Sequence, residues 1–298
     1  MNKNLALSLL LFIQVLFGIN FTTSKIIVQK LDPILWSNIR FFTAGIILLV
    51  YTLLTKRKHP KVNKHFWLSI ISLSLLGMAL GQGLFLFGLK YTTSINTSII
   101  TTTIPILTLF LVVLRKQEEL SWPKIVGIGL GFMGVVFIRD LGKLSFSSTS
   151  LQGDLLVFLG AFCFALYLSY GKSFLQKHDN LWVTSYMFLI SGLFMTVINI
   201  PKIQNFTLPS FDGLFYASVA FTIIGATLLT YVLNNLVLKH VSPAQIALFI
   251  YLQPLIAGLF GVYFLGEAID VRTFICFILI LSGVTISLND KNIRNKFN

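Results

Sequence analysis

The sequence predicts an all-α integral membrane protein of ten transmembrane helices, built as two inverted five-helix repeats. Three observations lead there. Apolar residues make up 55% of the 298-residue chain and mean hydropathy is +0.84, a composition foreign to soluble domains. The acidic residues, from Asp32 to Asp290, and the four histidines all lie at or beyond the ends of apolar runs. Finally, the second half of the chain repeats the first.

The repeat is legible residue by residue. At an offset of 147, Phe17 meets Phe164, Lys25 meets Lys172, Asp32 meets Asp179 and Gly45 meets Gly192. A two-residue insertion shifts the offset to 149, where Lys90 meets Lys239, Pro105 meets Pro254, Glu118 meets Glu267 and Gly134 meets Gly283. The expected units are 1–146 and 147–298, one integrated transport domain. Five spans per unit force opposite orientations across the bilayer, the construction of many secondary transporters.

Stretches of about 20 apolar residues cross a bilayer as helix. They fall at 5–28, 33–54, 66–89, 92–114, 123–139, 153–175, 181–201, 212–237, 243–265 and 269–288. Asp32-Pro33, His59-Pro60, Trp122-Pro123, Pro201, Pro209 and Ser242-Pro243 punctuate them, as turn residues should. The first stretch lacks a small-x-small cleavage site and aligns with 153–175, so it reads as a span and not as a leader.

Charge sets the expected orientation. With the N-terminus inside, fifteen Lys and Arg fall on the cytoplasmic side, densest at Lys56–Lys64, and seven on the other. Both termini are therefore expected in the cytoplasm. The same placement explains the net charge of +13 without a nucleic-acid partner. The predicted surroundings are a lipid bilayer and a small-molecule substrate, with monomer and homodimer both left open. Cys163 and Cys276 sit inside apolar runs, and the sequence holds no metal-ligand spacing and no cofactor motif. A Walker-type glycine loop is absent as well, which excludes ATP-driven pumping by this chain alone.

Several motifs resemble the drug/metabolite transporter superfamily in its ten-helix EamA-type branch. In the second half they are Lys239-His-Val-Ser-Pro-Ala-Gln245, Gln253-Pro254, Gly266-Glu267 and Ser282-Gly-Val284; in the first half, Lys90-Tyr-Thr-Thr-Ser-Ile-Asn96, Ile104-Pro105, Glu118 and Gly134-Val135. Phe17-Gly-Ile-Asn20-Phe21 and Arg40-Phe41 match its early motifs. Gln117 departs from the Gly266 position. The resemblance implies a carrier of amino acids, other metabolites or drugs, commonly an exporter. It also implies a cavity lined by helices 1, 3, 4, 6, 8 and 9. The absence of a cleavable targeting segment suits a bacterial cytoplasmic (inner) membrane, the expected location.

Polar side chains at membrane depth must be paired or wetted, so they mark candidate cavity residues: Gln14, Asn20, Gln82, Asn96, Thr101, Tyr167, Tyr231, Gln245 and Tyr251. Pro105 and Pro254 lie at mid-span, where proline frees the carbonyls of Thr101 and Ile250, and are candidate hinges. Arg40 is the charge well within a span and a candidate anion contact; snorkelling to a loop is the competing expectation. Lys25 with Glu267, and Lys172 with Glu118, are candidate gate latches on opposite faces.

The predicted function is secondary transport of small metabolites by alternating access. Efflux of drug-like cations is the alternative, disfavoured because no acidic group lies at membrane depth. An integral-membrane lipid-modifying enzyme would need an acid–base pair, nucleophile or metal cluster that the spans do not carry. For the same reason, facilitated diffusion is expected ahead of proton coupling.

Overall fold

The computed structural model describes residues 3–92, 94–138, 148–204 and 212–265, with positions 275, 278, 279, 282, 283 and 285–287. Among the described residues the regular structure is helical and no strand occurs. α1 (Lys3–Lys30) and α6 (Ser148–Leu175) have 28 residues each, about 42 Å of helix and enough to cross the hydrocarbon core. α2 (Pro33–Leu54) and α7 (Asn180–Gln204) start alike. Asp32 accepts from the N–H groups of Ile34 and Leu35, and Asp179 accepts from those of Leu181 and Trp182. Each carboxylate supplies partners for amides that the first helical turn leaves unpaired.

α3 (Lys64–Tyr91) and α8 (Gly213–Leu238) carry a feature that hydropathy does not display. Each contains one π-helical stretch, Leu75–Leu80 and Ile224–Leu229, equivalent at the 149 offset. Single π turns are uncommon and concentrate at functional positions.

α4 is two pieces, Ser94–Thr101 and Ile104–Leu114, and α9 likewise is Pro243–Phe249 and Gln253–Leu265 around a 3₁₀ turn at Ile250–Leu252. The breaks are repeat equivalents, one turn before Pro105 and Pro254. In α4 the Thr103 N–H bonds the Ile100 carbonyl at 3.0 Å, the tighter bond expected where a proline removes the regular one. α5 is Trp122–Ile138.

Seven described helices are long and apolar enough to cross a membrane. The expected fourth and fifth spans appear as the broken α4 and the 17-residue α5, and most of the expected tenth lies outside the described residues. Side chains such as Leu54, Leu68, Phe110, Trp122 and Val197 stand exposed on the outside of the bundle, where lipid is their natural solvent.

Two interfaces organise the bundle. α2 and α7 meet reciprocally: a Cβ on Gly45 would lie 2.9 Å from the Leu189 side chain, and one on Gly192 would lie 2.6 Å from Phe42. Phe42 and Leu189 are themselves repeat equivalents, so the pseudo-two-fold axis passes here, as in an isologous contact. α3 and α6 approach backbone to backbone, where a Cβ on Gly88 would sit 2.5 Å from the Gly153 carbonyl. Such contacts favour small residues in helices that pack in lipid.

Below, the near face is the one holding the N-terminus and the α2–α3, α4–α5, α6–α7 and α8–α9 turns; the far face is the opposite one.

Candidate functional site

A cavity of about 50 Å³ lies where the repeats cross, room for a few waters at 10–15 Å³ each. Its wall takes Phe17, Asn20 and Phe21 from α1, Gly81, Gln82 and Phe85 from α3, and Thr101 and Ile104 from α4. Gly160, Ala161 and Phe164 of α6 and Ile250 and Gln253 of α9 complete it. Five of the six helices implied by the resemblance thus contribute; α8 does not reach the described wall. The α1 and α3 residues lie past mid-helix, so the cavity is displaced toward the far face.

Its polar groups are amides and one hydroxyl. Asn20 is 3% exposed, and its Oδ1 accepts from the Ser24 hydroxyl at 3.0 Å. Gln82 Oε1 accepts from an Arg40 N–H at 3.4 Å. Gln253 donates to the Oε1 of Gln14 at 2.6 Å, a buried amide pair joining α9 to α1. Thr101 spends its hydroxyl proton on the Ser98 carbonyl at 2.7 Å. Thr101 and Ile250, whose carbonyls the prolines release, both stand in the wall.

Arg40 neither snorkels nor meets a carboxylate among the described residues. It is 0% exposed, and its guanidinium donates to the Thr227 hydroxyl, to the Ala226 carbonyl at 3.0 Å and to Gln82. Thr227 and Ala226 belong to the π turn of α8, so the arginine fills hydrogen bonds that the irregular turn leaves over. The π turn of α3 is served equivalently: the Tyr231 hydroxyl donates to the Gly77 carbonyl at 3.2 Å, and Gly77 is the repeat mate of Ala226. Both partners come from the opposite repeat.

Tyr167 and Tyr231, expected in the cavity, stand just below it toward the near face, each 0% exposed. The Tyr167 hydroxyl donates to Asn235, whose amide donates to Thr184 at 2.8 Å. The Tyr167 ring lies flat on Gly77, where any Cβ would approach it to 2.6 Å. Tyr231 packs edge-on against Phe17, Phe164 and Phe188. The two tyrosines and these rings pack into one aromatic cluster, called the plug below.

Other expected residues have other work. Gln245 completes a capping box with Ser242 at the start of α9, satisfying two helix-end amides. Tyr251 lies against Gly131 and donates to the Ile128 carbonyl at 3.1 Å, joining α9 to α5. The side chain of Asn96 and all of Glu267 lie outside the described residues. Phe17, Phe21, Phe85 and Phe164 are lining residues that a search for polar groups passes over; their one signal was the Phe17–Phe164 repeat match.

Of the two expected latches, Lys172–Glu118 is the one whose members are both described, and it is placed differently; the Lys25–Glu267 latch involves Glu267, which lies outside the described residues. Lys25 donates to the Leu89 carbonyl at 2.8 Å and to that of Thr92, while Lys172 donates to Val241 at 2.9 Å. Thr92 and Val241 are repeat mates, so each lysine ties the first helix of a repeat to the end of its third, where carbonyls are in excess. Glu118 pairs with Lys124 at 3.0 Å rather than with Lys172, and both partners are nearly buried. Its other oxygen accepts from the Ala244 N–H, so Lys172 and Glu118 converge on the α8–α9 turn without forming an ion pair together.

The EamA-like transporter family model matches residues 4–139 and 151–289, one copy over each half. The chain belongs to the EamA-like transporter family. An uncharacterised transporter of Archaeoglobus fulgidus is 30% identical over 270 residues, covering 90% of this chain and 92% of the relative. The uncharacterised transporter YyaM of Bacillus subtilis is 26% identical, covering 93% and 91%. The uncharacterised inner membrane transporter YedA of Escherichia coli K12 is 24% identical, covering 86% and 81%. A crystal structure titled only as that of a protein superposes with a TM-score of 0.74 at 17% identity, covering 94% and 95% of the two chains; it supports the fold. The family and these relatives are transporters, and this chain is an integral membrane transporter, not an enzyme.

Proposed function

We propose that this transporter carries small amphipathic metabolites, amino acids first among them, by alternating access around the cavity between the repeats. The observation that carries the reading is the cavity itself. Amides and a hydroxyl sit at membrane depth beside four phenylalanines, where lipid would not tolerate them unless paired or wetted. With the basic near face in the cytoplasm, the plug of Tyr167 and Tyr231 is the closed cytoplasmic side. A bacterial inner membrane agrees with the E. coli relative's name, and export is the expected direction.

The two repeats act as one transport unit. The breaks before Pro105 and Pro254 are the hinges, since each leaves a helix already interrupted beside the cavity. Movement about them exchanges the far-face cavity for an equivalent one on the near face. No titratable carboxylate lies in the described wall, so transport is facilitative or by exchange.

The test is uptake of a radiolabelled amino-acid panel into proteoliposomes, with and without an imposed pH gradient. The reading expects saturable uptake that equilibrates, ignores the gradient and is lost in Thr101→Phe, which fills the cavity. Gradient-driven accumulation would refute facilitation, and uptake unaffected by Thr101→Phe would refute the site.

A further inference from the structure

One side of the cavity wall is backed by a fixed positive charge. Behind Gln82 stands the Arg40 guanidinium, wholly buried and with no carboxylate partner among the described residues. The described ion pairs, Lys30–Asp212, Arg57–Asp179 and Lys124–Glu118, all lie at the bundle's ends. A buried charge without a counter-ion is costly, and its field reaches further where water is scarce. Three of its N–H groups are engaged by Thr227, Gln82 and Ala226, which hold the cation in place without neutralising it.

The neighbouring amides point the same way. Asn20 has spent its oxygen on Ser24, and its Nδ2 has no partner among the described residues. Gln82 has turned its oxygen to Arg40. An amide group carries two N–H donors, so at least one on Gln82 remains for the cavity. From these residues a ligand meets donors backed by a fixed positive charge.

Resting on the reading of the cavity as the substrate site, we propose that it selects an anionic oxygen, a carboxylate above all, and rejects cations. Asn20 and Gln82 are the contacts. Arg40 is the positioning residue whose charge, transmitted through the Gln82 carboxamide, sets the selection. The phenylalanines receive the apolar remainder of the ligand.

Benzoate, benzamide and benzamidinium have nearly one shape and charges of −1, 0 and +1, so they isolate the electrical term. Binding is measured on the purified full-length protein by ligand-induced thermal stabilisation. Wild type should prefer benzoate to benzamidinium at least tenfold, about 1.4 kcal/mol, with benzamide between. Arg40→Met should abolish the ranking. Gln82→Met leaves Arg40 its α8 contacts and should reduce benzoate binding even if Arg40→Met fails to fold. Equal or stronger binding of benzamidinium by wild type, or an intact benzoate preference in folded Arg40→Met, would overturn the proposal. Charge-blind binding that Thr101→Phe blocks would overturn selection alone. No binding by any probe, or binding that Thr101→Phe leaves intact, would overturn the cavity as substrate site together with the selection.

Discussion

Asn20 and Gln82 occupy the same repeat positions as Tyr167 and Tyr231. The first pair borders a cavity; the second pair is packed without exposure. The backbone around them is matched: equivalent π turns, equivalent breaks before proline, equivalent lysine ties. The difference therefore lies in side-chain volume and in how closely the flanking helices meet. α3 and α6 touch through Gly88 and Gly153 on the far side, whereas the equivalent residues of α8 and α1 are Val237 and Ala6. On the proposed alternating-access reading, the inverted repeats share a machinery and differ in filling, and the filling decides which half of the pathway is closed.

Removing the charge of Glu118 should have the largest effect. Glu118→Gln leaves Lys124 buried without its carboxylate, a loss of about 3–5 kcal/mol, read as collapse of the folded fraction in size-exclusion chromatography. An undiminished fraction would mean that the near-face end of α9 does not depend on this pair.

Close packing comes next. Gly88→Leu drives a side chain into the Gly153 carbonyl and should cost about 1–3 kcal/mol or more, as overpacking does. The equivalent Val237→Leu adds one methylene and should cost less. Equal melting temperatures for the two variants would erase the proposed asymmetry.

The plug itself can be weighed. Tyr167→Phe leaves the Asn235 oxygen without its donor, costing about 1–3 kcal/mol. Asn20→Asp, at the equivalent place, adds a charge only to the cavity wall, so it should alter transport more than melting. Lys25→Met and Lys172→Met should each lower stability by about 1.5–3 kcal/mol, the scale for hydrogen bonds to charged groups, by similar amounts. A large inequality would show that the two ties are not equivalent.

The smallest effect concerns pH. His178 lies on the near-face α6–α7 turn, against Phe66 and Phe174. Desolvation first, then Lys239 and Lys177, hold its imidazole below the usual 6.5. A lowered histidine pKa means that the folded form resists protonation, so stability should fall as pH drops below about 6.5. His178→Phe keeps the ring contacts and should flatten that slope.

Much of the fold was legible in the sequence, because period, hydropathy and the two offsets are properties of the chain. Asp32 and Asp179 announced the starts of α2 and α7, and the prolines announced the breaks in α4 and α9. The cavity was legible only in part. Polarity identified Asn20, Gln82 and Thr101, but a tyrosine at membrane depth serves equally as a plug, and Tyr167 and Tyr231 do so. Gln245 carried a capping signal, Ser242-Pro-Ala-Gln245, that a search for polar residues read as lining. The π turns have no proline, and their glycines, Gly77 and Gly225, sit in apolar runs as other glycines of the chain do, so nothing local singled them out. Arg40 is held by Thr227 and Ala226, nearly two hundred positions along the chain, and that pairing exists only once the helices are packed.

The most direct test replaces Cys163 and Cys276 with alanine and introduces one cysteine at a time, Asn20→Cys in the cavity and Asn234→Cys on the plugged half of α8. Each is challenged with a membrane-impermeant thiol reagent from either side of an oriented vesicle. The account predicts that Asn20→Cys reacts from the far face, that Asn234→Cys is protected from both, and that Tyr167→Ala exposes it from the near face. Equal reaction of both cysteines in the unplugged and plugged proteins, or faster labelling of Asn234→Cys, would contradict the division into an accessible half and a closed one.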